Sequence, residues 1–311
     1  MDKRIAAIIG AGLIGRAWAV VFARAGWTVR LYDAVPAQLS AARQLIAQAL
    51  AEQEQAGLLT DARAALEGIA PCTKVGEAVS DAGWVQENLP EEVAVKHSAF
   101  AELDRLASPD AILASSTSAI VASQFTEGLA GRARCLVVHP VNPPHLVPVV
   151  ELCGAPWTSE ATLDRARATM ESLGQVPVLV RREIEGFVLN RLQGALLTEA
   201  MRLVADGVIS PDDLDKTIRD GLGMRWSFMG PFETIELNAP GGVADYCARY
   251  SGFYRRLAVD PAPPSVWEGT SAERVVSALG APLTAAQRDH RTEWRDRRLL
   301  ALRRHKLEES E

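Results

Sequence analysis

The chain has 311 residues, of which 48% are hydrophobic and 23% charged; this ordinary globular composition excludes a disordered chain, a collagen-like repeat and a coiled-coil rod. At about 100–200 residues per domain, the length suits one large or two moderate domains. Lys plus Arg total 33 against 39 for Asp plus Glu, a formal net charge of −6, which does not fit a surface built to coat phosphate backbones, so no nucleic-acid partner is expected.

Asp2-Lys3-Arg4 ahead of Ile5–Ile14 imitates a signal peptide. The apolar run is shorter than the about 20 residues that span a bilayer. Arg16, Arg24 and three glycines then interrupt it, so no membrane partner is expected. Ile5–Ile9 reads as a strand buried on both faces. Gly10–Gly15 punctuates it, Ala17–Ala25 reads as a helix with Gly26 at its C-cap, and Thr28–Tyr32 is a second strand ending at Asp33. Pro36–Gly57 and Asp61–Glu67 read as a helical insertion. Strands at Trp84–Glu87, Ile112–Ala114, Cys135–His139, Val147–Leu152 and Val176–Val180 alternate with helices at Glu92–Leu106 and Thr162–Leu173, a pattern of an open α/β sheet. The pattern changes near Arg181–Gly186. Beyond it come helices at Phe187–Ala205 and Pro211–Asp220, one or two within Glu233–Arg249, and an amphipathic terminal helix at Arg291–Leu307 whose arginines read as a solvated face. The expected division is residues 1–183, α/β, and residues 184–311, all-α.

Cys72, Cys135, Cys153 and Cys247 lie far apart with no C-x-x-C. That spacing argues against a zinc knuckle or a disulfide scaffold and for a reducing compartment, here read as the cytoplasm. No metal is expected.

Gly10-Ala11-Gly12-Leu13-Ile14-Gly15 is G-x-G-x-x-G leaving a predicted strand and opening a predicted helix. The first glycine permits a tight turn, the second lets the backbone approach a pyrophosphate, and the third allows close helix–strand packing. The helix N-terminus offers free N–H groups and a positive dipole end. Asp33 can accept hydrogen bonds from the adenosine ribose and would repel a 2′-phosphate. With no Arg directly following, the expected cofactor is NAD rather than NADP. The other reading is a glycine-rich turn that binds no nucleotide.

An NAD site calls for a proton relay supplied by the protein, and histidine suits it. Of the five histidines, His290 and His305 lie in the charged tail, and His97 follows Lys96 on a helix. His139 differs: it ends a strand, where ligands gather in open parallel sheets. Glu151, on the next strand, could lie beside it and stabilise the imidazolium. The alternative is a capped strand-end histidine and an unrelated surface glutamate.

Ser115-Ser116-Thr117-Ser118, His139-Pro140-Val141-Asn142-Pro143, Glu151 and Gly186-Phe187-Val188-Leu189-Asn190-Arg191-Leu192 resemble, in order and spacing, the 3-hydroxyacyl-CoA dehydrogenase superfamily. The strings His139–Pro144, Gly221-Leu222-Gly223-Met224-Arg225 and Gly230-Pro231-Phe232-Glu233-Thr234 resemble its λ-crystallin and L-gulonate 3-dehydrogenase branch. The resemblance implies a Rossmann-like N-terminal domain with a helical insertion, an all-α C-terminal domain and a homodimer made through the latter. It implies His139 as general base and Glu151 as its orienting partner. Ser118 and Asn190 would hold the substrate oxygen, Asn142 would support the cofactor or catalytic loop, and Glu91 and Lys96 would line the nicotinamide side. Ser118 as a mere helix N-cap and Lys96 as a surface helix residue are the alternatives. Asn190, in mid-helix among apolar residues, needs partners if buried.

A free acid substrate needs a fixed cation, and Arg225 suits it because guanidinium grips carboxylate by two parallel hydrogen bonds; Trp226 and Phe228 would wall the pocket. Arg225 paired with an internal acid is the competing reading. The activity expected is NAD-dependent oxidation of the 3-hydroxyl of a small free L-3-hydroxy acid. An L-3-hydroxyacyl-CoA dehydrogenase and a non-enzymatic crystallin-like protein are the alternatives.

Overall fold

The computed structural model describes residues 4–308; Asp2 and Lys3 of the signal-like start lie outside the described residues. Eight strands, β1 (Ile5–Ile9), β2 (Thr28–Tyr32), β3 (Ile69–Cys72), β4 (Trp84–Glu87), β5 (Ile112–Ser115), β6 (Cys135–Pro140), β7 (Val149–Gly154) and β8 (Val176–Val180), form one sheet. Their order is β3-β2-β1-β4-β5-β6-β7-β8. Neighbours are parallel throughout except β6 and β7, which are antiparallel. The order reverses between β1 and β4, and ligands of open α/β sheets bind outside the carboxyl ends of the strands at such a switch point.

Helices α1 (Leu13–Arg24), α2 (Pro36–Gln55), α3 (Ala62–Glu67), α4 (Val75–Val79), α5 (Val93–Leu106), α6 (Ser123–Thr126) and α7 (Glu160–Ser172) accompany the sheet. Because strand side chains alternate between faces, the core is split into two layers. Ala6, Ile8, Leu136 and Val138 pack with Trp18, Phe22 and Leu50. Ala7, Ile9, Cys135 and Val137 pack with Phe100, Phe125 and Phe187. Both faces of the central strands β1, β4, β5 and β6 are covered, which is why these strands read as continuous apolar runs. Truncating a fully buried ring such as Phe22 to alanine costs about 3–5 kcal/mol, a large part of a typical stability of about 5–15 kcal/mol.

Strand β3 and helix α4 are among the elements that escape the sequence pattern. Strand β3, Ile-Ala-Pro-Cys, carries Pro71, which a strand tolerates at a sheet edge, and β3 is the edge. Helix α4 is five residues long and contains Gly76. Helix α1 begins at Leu13 rather than Ala17, directly on the glycine loop. Strand β7 begins at Val149 rather than Val147, because the Val147 N–H turns back to the Pro143 carbonyl.

The chain divides into two compact units, Met1–Asn190 with Thr292–Glu311, and Arg191–Arg291. The expected division put everything after residue 183 in the helical part; the chain from Thr292 onward instead belongs with the sheet. Helix α8 (Leu189–Ala205) leads into the second unit. There follow α9 (Pro211–Lys216), a π-helical stretch Thr217–Leu222, α10 (Gly223–Trp226), α11 (Pro231–Leu237), α12 (Gly242–Ala258) and α13 (Gly269–Leu279), with no strand among the described residues. Helix α14 (Ala285–Glu308) ends the described chain. Among the described residues no helix is long and apolar enough to cross a membrane.

Candidate active site

The glycine loop lies at the carboxyl end of β1. Gly10 has φ +93°, and its N–H donates to the Tyr32 carbonyl at 2.8 Å. A Cβ at Gly10 would fall 2.9 Å from the Asn88 carbonyl oxygen, and one at Gly15 would fall 1.8 Å from that of Gly10. A Cβ at Gly12 would meet nothing within 4 Å. Gly10 and Gly15 are therefore required by the protein's own packing, whereas the bareness of Gly12 serves no internal neighbour. Gly12 is also the N-cap of α1, and no side chain caps that end, so first-turn N–H groups remain for an anion. Leu13 is exposed, while Ile14 leans on the apolar layer. Asp33 accepts the Ala11 N–H at 2.7 Å through Oδ2 and the Val35 N–H at 2.8 Å through Oδ1. Each oxygen keeps a lone pair for a ribose hydroxyl. The cradle fits a dinucleotide with an unphosphorylated ribose.

Beside the cradle, β4 ends in a carboxylate that the sequence reading passed over. Glu87 is wholly buried and ion-paired to Lys96, whose Nζ lies 3.1 Å from both carboxylate oxygens. It also accepts the Leu89 N–H at 2.6 Å and the Ser115 hydroxyl. Lys96 is thus no surface helix residue. Its Nζ also lies 3.5 Å from Glu91 Oε2. Glu91 Oε1 in turn accepts the Thr117 hydroxyl and the N–H groups of Ser118, at 2.8 Å, and Ala119, at 3.0 Å. Partial burial raises the Glu91 pKa, but the Thr117 hydrogen bond, the Lys96 charge and the two backbone donors outweigh it, leaving it below the ordinary carboxylate value. Ser118 caps no helix: Ala122 is the N-cap of α6, and Ser118 is exposed.

His139 and Glu151 are register partners across the antiparallel β6–β7 pair. They share the face of Cys135, Val137 and Cys153. His139 Nδ1 lies 2.8 Å from Glu151 Oε2, with the residues 4% and 2% exposed; Glu151 is not a surface residue. Its other oxygen, Oε1, accepts the N–H groups of Val188 at 2.8 Å and Leu189 at 3.0 Å, where α8 begins. A carboxylate is favoured at such a helix N-terminus. Burial pushes the Glu151 pKa up, but the hydrogen bond from His139 and those from Leu189 and Val188 together hold it below the ordinary value. An ionised carboxylate only accepts, so in the neutral imidazole Nδ1 carries the proton and Nε2 the lone pair. Phe187 flanks the imidazole, ring centroids 5.4 Å apart, from a backbone with φ +49°. Such a conformation in a non-glycine residue is strained and clusters at functional sites. Asn190 Nδ2 donates to the Ser118 carbonyl at 2.8 Å, so the amide finds its partner on the loop that Glu91 holds.

Two expected residues stand apart from these contacts. Asn142 is exposed on the β6–β7 connection, joined to Pro143 by a cis peptide bond. Arg225 belongs to the second unit, on α10, where it is exposed and forms no ion pair among the described residues. Trp226 and Phe228 are exposed as well.

A doubly covered sheet with a bare glycine cradle at its switch point and a carboxylate at the end of the second strand defines a dinucleotide-binding protein of the Rossmann type. The family model "3-hydroxyacyl-CoA dehydrogenase, NAD binding domain" matches residues 5–184, and "3-hydroxyacyl-CoA dehydrogenase, C-terminal domain" matches residues 186–272. The chain therefore belongs to the 3-hydroxyacyl-CoA dehydrogenase family and is an NAD-dependent oxidoreductase of that family. It is 43% identical over 306 residues to lambda-crystallin of Oryctolagus cuniculus, covering 96% of this chain and 95% of that one. It is 39% identical over 231 residues to L-carnitine dehydrogenase of a Pseudomonas species, covering 74% of this chain and 71% of the relative. Among solved structures it is similar to a 5-formyl-3-hydroxy-2-methylpyridine 4-carboxylic acid 5-dehydrogenase, an NAD+ dependent dismutase. That match has a TM-score of 0.85 and 32% identity and covers 99% of each chain.

Proposed function

We propose that the chain oxidises the 3-hydroxyl of a small free L-3-hydroxy acid to the 3-keto acid through a His139–Glu151 proton relay. The Gly10–Gly15 cradle and Asp33, with Glu91 and Lys96 beside them and Asn142 supporting the loop, would hold NAD, which would supply the acceptor for the hydride of C3. His139 Nε2 takes the hydroxyl proton, and Glu151, already fixed by two backbone donors, steadies the imidazolium as it forms. Ser118 and Asn190 hold the substrate oxygen, an orientation effect. In the reverse direction the imidazolium returns the proton.

The observation that carries this reading is the buried 2.8 Å contact between His139 Nδ1 and Glu151 Oε2, which leaves Nε2 as the basic atom. The choice of a free acid is supported by the relatives: L-carnitine and the pyridine carboxylic acid are themselves carboxylic acids. The guanidinium of Arg225, without an ion-pair partner among the described residues, suits the substrate carboxylate. In this reading the chain works in the cytoplasm as a homodimer, which light scattering on the purified protein tests. The substrate is tested by a panel at fixed NAD: L-gulonate, 3-hydroxybutyrate and 3-hydroxybutyryl-CoA. Turnover of a free acid supports the proposal; turnover of the thioester alone replaces it with the acyl-CoA reading.

A further inference from the structure

The connection between β6 and β7, residues 141–148, has no regular secondary structure, yet its backbone is gripped by three side chains from distant parts of the chain. Arg24 Nη1, in the last turn of α1, donates to the His145 carbonyl at 2.7 Å. Arg303 Nη1, on α14, donates to the same oxygen at 2.8 Å. Gln175 Nε2, one residue before β8, donates to the Pro144 carbonyl at 3.1 Å, and its Oε1 accepts from Arg24 Nη2 at 2.9 Å. Arg303 Nη2 reaches the Gly174 carbonyl at 3.2 Å, and Arg24 Nη1 reaches Gln53 Oε1 at 3.3 Å.

Two guanidinium groups thus share one carbonyl, and among the described residues neither forms an ion pair with a carboxylate. Burial, and then the Arg303 charge, lowers the Arg24 pKa; burial lowers that of Arg303. Placing two like charges side by side in a partly buried site without a counter-ion costs free energy. Neutral amides would satisfy the same carbonyls at less cost, so stability alone does not account for the arrangement. What the arrangement does secure is position. His145 lies midway along the chain between His139 and Glu151, and its carbonyl is the fixed point of the hairpin that carries both. Side chains alternate in a strand, so a one-residue slip in this pair would turn one partner to the opposite face of the sheet.

We infer that Arg303 is a positioning residue for the proton relay: with Arg24 it pins the His145 carbonyl and so holds the register in which the His139 imidazole meets the Glu151 carboxylate. The terminal helix is then a working part of the catalytic scaffold, reaching it from the far end of the chain. This inference rests on the reading of His139 and Glu151 as the relay.

The test uses the full chain with Arg303→Met, Arg303→Lys and His139→Gln. The measurements are kcat and KM for the hydroxy acid, the NAD Kd, the pH profile of kcat/KM and the thermal midpoint. Loosening a reacting geometry by about 1 Å costs about 10²-fold, so Arg303→Met is expected to lose about 10–100-fold in kcat. Its NAD Kd should be unchanged and the acid limb of its pH profile displaced. Arg303→Lys keeps the charge but reaches only one of the two carbonyls, and should fall between; it carries the test if the methionine variant does not fold. Wild-type kcat and pH profile in the folded variants, even with a lowered thermal midpoint, would overturn the inference. If His139→Gln keeps its turnover, the relay reading fails and takes this inference with it. If His139→Gln is inactive while the Arg303 variants are not slowed, the inference alone fails.

Discussion

Replacing Glu151 by glutamine changes one atom and reverses the logic of the pair. Oε1 of Glu151 accepts two backbone N–H groups, at 2.8 and 3.0 Å, so in Glu151→Gln the amide oxygen is drawn to that position. The amide nitrogen then faces His139 Nδ1, 2.8 Å away in the parent, and only donates. Nδ1 must become the acceptor, the proton moves to Nε2, and the lone pair needed for the substrate hydroxyl is lost. Carboxylate-to-amide exchanges that trap a catalytic histidine in the wrong tautomer cost about 10⁴-fold in kcat. At 1.36 kcal/mol per tenfold, that is about 5.4 kcal/mol of transition-state stabilisation. The assay is the initial rate of NAD reduction with saturating hydroxy acid, alongside the NAD Kd, which should not move. A Glu151→Gln kcat within tenfold of wild type would refute the reasoning. The same variant carries an acid-stability signature. The folded Glu151 pKa is depressed, so its contribution is fully present above the unfolded value of about 4.3 and is lost as pH falls through the folded value. Urea unfolding at decreasing pH should show a shallower loss of stability in Glu151→Gln than in wild type.

Gly12→Val should abolish NAD binding with little change in thermal midpoint, because its Cβ meets no protein atom; Gly15→Ala, whose Cβ would lie 1.8 Å from a carbonyl oxygen, should lower the midpoint. Calorimetry of both variants checks the contrast, and equal destabilisation would contradict it. Asp33→Ser should narrow the preference for NAD over NADP by removing the carboxylate that repels a 2′-phosphate; an unchanged ratio of the two kcat/KM values would count against Asp33. Arg225→Met should raise the KM for a free acid about tenfold or more, as loss of a charge-assisted contact of about 1.5–3 kcal/mol implies, and leave that for NAD unchanged. An unaltered acid KM would remove the clamp.

The sheet was legible because its central strands are buried on both faces and its helices alternate with the strands. Strand β3 was not, since Ala70 and Pro71 give neither a β-branched run nor an apolar alternation. The glycine cradle could be read because its spacing falls between a predicted strand and a predicted helix, with an acidic residue at the end of the next strand. His139 and Glu151 were drawn together by strand-end position, and the antiparallel pairing that makes them register partners was outside the reach of the pattern. Glu87 ends β4 as His139 nears the end of β6, so the rule that singled out the histidine could have found the carboxylate. Its buried partner, Lys96, looks like any charged helix residue in sequence. Nothing local to Arg24, His145 or Arg303 announces that they meet. Their contact depends on α14 returning to the sheet unit, and a run of arginines reads as a solvated face until that packing is known.

The most direct test of the central claim is single-turnover hydride transfer in His139→Gln, preloaded with NAD and mixed with the hydroxy acid that turns over best. The account requires the burst of reduced cofactor to fall by about 10³-fold or more, in the range of removing a relay residue, while the NAD Kd stays at the wild-type value. A burst of wild-type rate in that variant would show that the substrate proton leaves by another route, and His139 would no longer be the base.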